Sequence, residues 1–414
     1  MLGSLLIMTE PRRHLRGPAG RLAPALIIAL LLAGAVTGIR PNAAPASVSA
    51  AAPAAPAAPC RAWSGPQPPS PGTEDNNLNG VAVLSPCDAW AVGFDLDSGG
   101  MDQTLIEHWN GSTWTVVPSP NVAGVDNILN GVRAESPTDI WAVGESAPNI
   151  SLATGGAQSL ILHWDGHTWA RVASPSPGTG AVLNAVRPVS ATDAWAVGSF
   201  GNGTTGQPLI LRWNGHKWAQ VTSPHPGTNG ALSSVAATSA SNAWAVGAFF
   251  NGTADRSLIL HWNGQKWAQA ASPNPGGPAR NTFLNGIAAD SVSGKAWAVG
   301  FYEGATGKAL ILAWNGKTWA QQATHSPGNS VLESAATTGA GNTWAVGVYP
   351  SGTNRNSLIL HWDGTRWAQV ASPNPGPSNF LYAVAASSAS NAWAVGQFDT
   401  GIDGTDQNFA IHCC

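Results

Sequence analysis

The chain has 414 residues, of which only 10% are charged, while 48 are glycine, 31 are proline and 20 are tryptophan. Abundant glycine and proline with large aromatic residues favour many short strands joined by tight turns. We therefore predict an all-β protein and exclude a helical one.

The first 46 residues resemble an export signal rather than part of a fold. Four arginines precede an apolar run at 22–38, and small residues follow it at 44–46 and 48–50. This pattern predicts a cleaved secretory signal over 1–46 and an extracellular protein. An uncleaved membrane anchor that tethers the protein to the cell surface is the alternative, although the run is shorter than the ~20 residues of a usual span.

Residues 47–59, "SVSAAAPAAPAAP", form a spacer that has little to bury and is expected to be extended or disordered. Removal of residues 1–46 takes away five basic residues and one acidic residue, which leaves a formal charge of −7. This charge argues against nucleic acid or an anionic membrane as partner.

Residues 60–414 are dominated by an internal repeat. The motif "WAVG" occurs seven times, 47 to 54 residues apart, and begins at Trp90, Trp141, Trp195, Trp244, Trp297, Trp344 and Trp393. Four strand-like segments recur in each unit, as at 283–290, 296–302, 308–314 and 318–324, and turn residues bound each of them. Four antiparallel strands repeated radially predict the blades of a β-propeller.

The connection from the third to the fourth segment has its own signature. Six units carry it, as in "WNGSTW" (109–114) and "WDGTRW" (362–367), where Asn-Gly or Asp-Gly favours a tight hairpin and the trailing Trp is expected to pack between blades. Together with "WAVG" this turn resembles the Asp-box (BNR-repeat) propellers, which include sialidases, sortilin-like receptors and photosystem II assembly factors. The resemblance covers about 62–414. It implies the fold rather than an activity, because His108, His163, Arg212, His261 and His361 replace the usual Ser or Thr.

The seventh unit lacks its fourth strand at the C-terminus. The segment 62–72 aligns without gaps on 366–376, so that Trp63 matches Trp367. We therefore predict a seven-bladed ring closed by a clasp. In this clasp one N-terminal strand and three C-terminal strands together form the seventh blade. The same alignment predicts a disulfide from Cys60 to Cys413 or Cys414. Cys87 is a candidate partner for the remaining cysteine, because the first blade adjoins the seventh, and a free, partly buried thiol is the alternative.

One residue in each first strand is expected to face the central channel, at Asn79, Asn130, Asn184, Ser233, Asn285, Glu333 and Tyr382. A polar ring of this kind can bind a small ligand, or it can be hydrated packing. A row of histidines on the third strands, at His108, His163, His261, His361 and His412, is interpreted as structural packing because the blades hold them apart.

Two acidic loops are predicted to lie side by side where the last blade meets the first. They carry Asp95, Asp97 and Asp102 in one loop and Asp399, Asp403 and Asp406 in the other. Oxygen ligands near glycine suit Ca²⁺, and a solvated acidic surface is the alternative.

No catalytic motif stands out, and the nine arginines of the exported part are taken to occupy unrelated repeat positions. We predict a secreted, monomeric, non-catalytic recognition module that binds an extracellular glycan, cell-wall polymer or protein through the face with the long loops. An assembly scaffold and a glycoside hydrolase or lyase are the alternatives.

Overall fold

The protein is built from β-strands. The computed structural model describes residues 62–148, 156–201, 205–304, 306–401 and 405–413. Within these ranges no helix is long and apolar enough to cross a membrane. The predictions for residues 1–59, and those for Cys60, Asp403 and Cys414, lie outside the described residues.

The strands follow the repeat in six sets of four and a last set of three. The first two sets are β1 (Asn76–Ser85), β2 (Asp88–Leu96), β3 (Asp102–Trp109), β4 (Trp114–Val116), β5 (Asp126–Ser136), β6 (Asp139–Ala147), β7 (Gln158–Trp164) and β8 (Trp169–Arg171). The next two are β9 (Gly180–Ser190), β10 (Asp193–Gly201), β11 (Gly206–Trp213), β12 (Trp218–Gln220), β13 (Asn229–Ser239), β14 (Asn242–Phe250), β15 (Asp255–Trp262) and β16 (Trp267–Ala270). The last three are β17 (Thr282–Ala289), β18 (Ala296–Tyr302), β19 (Lys308–Trp314), β20 (Trp319–Gln321), β21 (Val331–Gly339), β22 (Asn342–Ser351), β23 (Asn354–Trp362), β24 (Trp367–Val370), β25 (Ser378–Ser388), β26 (Asn391–Asp399) and β27 (Asp406–Cys413).

Each set forms an antiparallel meander in chain order, which we call a unit and number from one to seven. The sixth and seventh units are joined further by a single parallel bridge between Arg355 and Ser378. The repeated four-stranded sheets confirm the all-β prediction and the predicted strand order.

The "WAVG" strand is the second strand of each unit and pairs with both its neighbours. Its glycine is required because the first strand comes very close to it. A Cβ added at this position would lie 1.8 to 2.1 Å from a first-strand carbonyl oxygen, at Gly93, Gly144, Gly198, Gly247, Gly300, Gly347 and Gly396. No side chain fits in that space, which explains why the motif ends in glycine in every unit.

The hydrophobic core lies between units rather than within them. Trp90 of the first unit packs against Trp164 and Trp169 of the second, with ring centroids 5.0 and 5.6 Å apart. The same arrangement places Trp393 of the seventh unit 5.1 Å from Trp109 and 4.9 Å from Trp114 of the first. The hairpin tryptophans therefore pack between units, as predicted.

The segment before β1 contacts the last unit. Ser64 and His412 exchange two backbone hydrogen bonds of 3.0 and 2.6 Å in an antiparallel bridge. Trp63 is buried and meets Trp344 edge to face at 5.1 Å. Trp367 meets Trp297 in the same way at 5.3 Å, so Trp63 occupies the place of a fourth-strand tryptophan.

The two cysteines in the described residues, Cys87 and Cys413, differ in burial and in bonding. Cys413 is fully buried and disulfide-bonded, and the described residues do not contain its partner, so the pairing with Cys60 stays a prediction. The proposed pairing of Cys87 is wrong, because Cys87 is an exposed free thiol. Its side chain lies against Gly111 of its own unit. In the next unit, Thr138 lies against Gly166 in the same way. Cys87 thus occupies an ordinary turn position that faces its own hairpin.

Candidate functional site

The residues predicted to line the channel share a local backbone feature. In every unit the register between the first and second strands shifts at this position, as between Leu78 and Gly80 or between Leu332 and Ser334. The residue that is skipped is the predicted one, so each lies at a β-bulge. The seven bulge residues are Asn79, Asn130, Asn184, Ser233, Asn285, Glu333 and Tyr382. A bulge re-aims the side chain of its extra residue.

Four bulge asparagines tie each unit to the next. The Nδ2 atoms of Asn79, Asn130, Asn184 and Asn285 donate to the carbonyls of Leu129, Leu183, Leu232 and Leu332 at 2.9, 3.1, 2.8 and 3.0 Å. Each acceptor precedes the next bulge, so the amides form a ladder between units. Their side chains therefore stabilise the packing of units, and their role in ligand binding stays a prediction.

Glu333 is the one acidic residue among the seven bulges. It is 6% exposed, and its Oε2 accepts a hydrogen bond of 2.9 Å from Asn285 Nδ2. Burial raises the pKa of Glu333 to about 7, and the bond from Asn285 opposes that rise. A carboxyl group with this pKa exchanges its proton near neutral pH, which suits either proton transfer or the binding of a cationic group.

An apolar cluster joins the fifth to seventh units and includes the bulge residue Tyr382. Phe301, Phe380 and Tyr382 belong to one apolar cluster with two valines. Phe380 and Tyr382 stack with ring centroids 5.9 Å apart, and the Arg355 guanidinium lies 5.7 Å from the Phe380 ring. Phe301 and Tyr382 keep part of their surface exposed. We call Asn285, Glu333, Phe301, Phe380 and Tyr382 the bulge site.

The tyrosine of the bulge site is held in its neutral form. Burial raises the pKa of Tyr382, and the negative charges of Asp406 and Glu333 raise it further, while Arg355 lowers it. The hydroxyl group is therefore a hydrogen-bond donor rather than a nucleophile at neutral pH.

The acidic loop of the first unit is organised by its own hydrogen bonds. Asp97 Oδ1 accepts from the backbone amides of Gly99 and Met101 at 2.8 and 3.0 Å. Burial, followed by the charges of Asp97 and Asp102, raises the pKa of Asp95 to about 6. These carboxylates are close enough to repel one another.

The acidic loop of the seventh unit ends at Asp406, and this end lies near the acidic loop of the first unit. Asp75 bridges them, because its carbonyl accepts from Leu96 at 2.9 Å and its backbone pairs with Asp406. Asp399 Oδ1 caps the amide of Gly401 at 2.7 Å, and Asp406 Oδ2 accepts from Gln397 Nε2 at 2.6 Å. No three acidic, histidine or cysteine residues of the described ranges are placed to share a metal ion. Calcium binding by these loops stays a prediction.

The third-strand histidines form a repeated structural contact. His108 and His163 pair through Nε2 with Asp88 and Asp139 at 3.0 and 2.8 Å, and His261, His361 and His412 pair with Asn242, Asn342 and Asn391 at 2.7, 2.6 and 2.6 Å. Each ring also lies against the "WAVG" tryptophan of its own unit, with centroids 4.0 to 4.4 Å apart. The row therefore packs and bonds within the protein, in agreement with the structural interpretation.

Sequence reasoning missed three buried charged residues. Glu107 replaces the Leu or Ile that other units place opposite the alanine of "WAVG". Arg133 and Arg187 share a repeat position at which the other units have alanine, so the expectation of unrelated arginine positions is wrong. Each of these three residues departs from the repeat in the sequence, but only its burial in the structure shows that the departure matters.

Comparison with known proteins supports the fold. No protein-family model and no curated protein matches the chain. Among solved structures, YCF48 bound to D1 peptide is similar with a TM-score of 0.55 at 16% identity, covering 86% of this chain and 98% of that one. YCF48 from Cyanidioschyzon merolae has a TM-score of 0.50 at 16% identity over 85% and 98%. YCF48 is a photosystem II assembly factor with a propeller fold.

The GH74 xyloglucanase from Xanthomonas campestris is a third similar structure. Its TM-score is 0.50 at 14% identity, and the match covers 84% of this chain and 55% of that one. The fold is a β-propeller. At these identities the likeness shows the fold alone, so the bulge site and the loops carry the argument about function.

Proposed function

We propose that the propeller has seven blades and closes by a clasp of one N-terminal strand with three C-terminal strands. The bridge between Ser64 and His412 supports this closure, as does the packing of Trp63 on Trp344. A further cluster joins Leu78 and Trp109 of the first unit to Trp393 of the last. A closed ring leaves no free sheet edge between its ends.

We propose that the protein is a secreted, non-catalytic recognition module that binds its ligand at the bulge site and on the adjoining long loops. The bulge site carries this proposal, since it combines a buried acidic group with two aromatic rings, Phe301 and Tyr382, that are partly exposed. Aromatic faces bind sugar rings or side chains, and a carboxylate selects hydroxyl or cationic groups. Both properties suit an extracellular glycan, a cell-wall polymer or a protein.

A protein ligand has additional support. The solved structure of YCF48 contains a D1 peptide, so a propeller with a similar fold binds a peptide. An assembly scaffold is therefore the second candidate, and it would use the same site. A glycan-active enzyme is the third candidate, for which Glu333 would supply the proton.

The experiment uses the protein secreted into culture medium, probed with an array of polysaccharides and peptides. We expect binding that the Glu333→Gln and Phe301→Ala variants weaken by at least about tenfold. The Arg171→Gln variant is the matched control, because Arg171 is exposed on a fourth strand and other units have glutamine there. Equal binding by all variants would exclude the bulge site, and product release from a bound polysaccharide would replace recognition by catalysis.

A further inference from the structure

Two adjacent units place an arginine where the repeat has a small residue. Arg133 and Arg187 lie four positions after the first-strand leucine in the second and third units. The other five units have alanine there, at Ala82, Ala236, Ala288, Ala336 and Ala385. The fold therefore does not need a long side chain at this position.

Both guanidinium groups are buried with few partners. Arg133 is 5% exposed and Arg187 is 1% exposed. Arg187 Nη2 donates to the carbonyl of Ala237 in the fourth unit at 3.0 Å. Its Nε and Nη1, together with Arg133 Nε, have no acceptor among the described residues. Unpaired buried donors that carry a charge destabilise the folded protein.

The charges around the pair do not balance. Burial lowers the pKa of Arg133 to about 9 and holds that of Arg187 well below its usual value, and the charge of Arg133 contributes to the second shift. Because arginine keeps its proton in proteins, these shifts indicate two cations that lack compensation. Glu135 interacts with both and is itself half-buried, which leaves about one positive charge.

Space for a ligand adjoins this cluster. Glu135 lies two residues after Arg133 and lines a groove of about 660 Å³ between the second and third units, with Asp139, His163 and Trp213. The charge of Glu135 interacts with both Arg187 and Arg133. Glu135 therefore connects the arginine cluster to this groove.

We propose that Arg133 and Arg187 bind a small oxyanion, such as sulfate, phosphate or a carboxylate, between the second and fourth units. Guanidinium groups offer several parallel N–H donors, which match the oxygen atoms of such anions. One anion supplies both the missing acceptors and the missing charge. This site is separate from the bulge site and does not depend on the proposed function.

The test compares the unmodified protein with the Arg133→Ala and Arg187→Ala variants, which restore the repeat residue. Melting temperature and calorimetric titration are measured with sulfate, phosphate and acetate, at an ionic strength kept constant with chloride. We expect a saturable oxyanion effect that each variant weakens by about tenfold or more. Arg171→Gln should behave as the unmodified protein.

The anion effect is compared between the unmodified protein and the alanine variants, because sulfate stabilises proteins generally by exclusion from their surface. The three anions show whether charge or geometry selects the ligand. An equal anion effect in the unmodified protein and both alanine variants would overturn the proposal. So would the absence of any effect beyond chloride, since buried water would then satisfy the guanidinium groups.

Discussion

Glu107 makes the stability of the protein depend on pH. The residue is fully buried where the first unit, the seventh unit and the N-terminal segment meet. Its Oε1 accepts from Asn408 Nδ2 at 3.3 Å, and the same amide donates to the Pro69 carbonyl at 2.5 Å. Glu107 Oε2 and Asn408 Oδ1 are both buried without a partner. Protonation turns a carboxylate oxygen of Glu107 into a hydroxyl donor, the kind of group that an unpaired amide oxygen accepts from.

The size of the effect follows from the pKa. Burial raises the pKa of Glu107 from 4.5 to about 9, and the hydrogen bond from Asn408 opposes this rise. The folded protein therefore binds a proton that the unfolded chain releases above pH 4.5. The stability from this group is complete below that pH and is lost as the pH rises toward 9. At ~1.4 kcal/mol per pKa unit, the interval from pH 5 to pH 8 removes up to about 4 kcal/mol.

The Glu107→Gln variant isolates this contribution, because the amide keeps the shape and donates to Asn408 without titrating. For a folded body of ~350 residues, about 4 kcal/mol corresponds to a change of ~5 °C in Tm. We expect Tm to fall by about that much more in the unmodified protein than in the variant between pH 5 and pH 8. Identical pH profiles for the two proteins would refute the reasoning. Glu107→Leu, which restores the repeat residue, should raise the Tm at pH 8.

Three further predictions concern the closure and the bulge ladder. Trp63→Ala should lower the free energy of unfolding by about 3–5 kcal/mol in urea titrations, whereas Val116→Ala, at an exposed position, should change it little. Asn184→Ala leaves a buried carbonyl without its donor and should cost about 1–3 kcal/mol with an unchanged m-value; a neutral result would show that the ladder contributes nothing. Peptide mapping without reductant should recover Cys60 linked to the C-terminal peptide of Cys413, and Cys60 found only as a free thiol would contradict the disulfide.

The repeat made the strands and turns predictable, but it also concealed the exceptions. Cys87 was a candidate partner for the remaining cysteine, yet it lies at a turn position that Thr138 fills in the next unit. The bulge residues were grouped as a ring that faces the channel, and that placement stays a prediction. Their hydrogen bonds to the neighbouring unit were not predicted, because the partners are 47 to 53 residues away.

The sequence by itself determined the all-β class, the strand order within each unit and the tight hairpins, since these depend on residues that are near one another in the chain. Only the tertiary structure decided which departures from the repeat matter. Glu107, Arg133 and Arg187 differ from their repeat residues no more visibly than many exposed residues do. Their importance comes from burial between units, which raises the cost of a charge and is set by packing across blades rather than by local pattern.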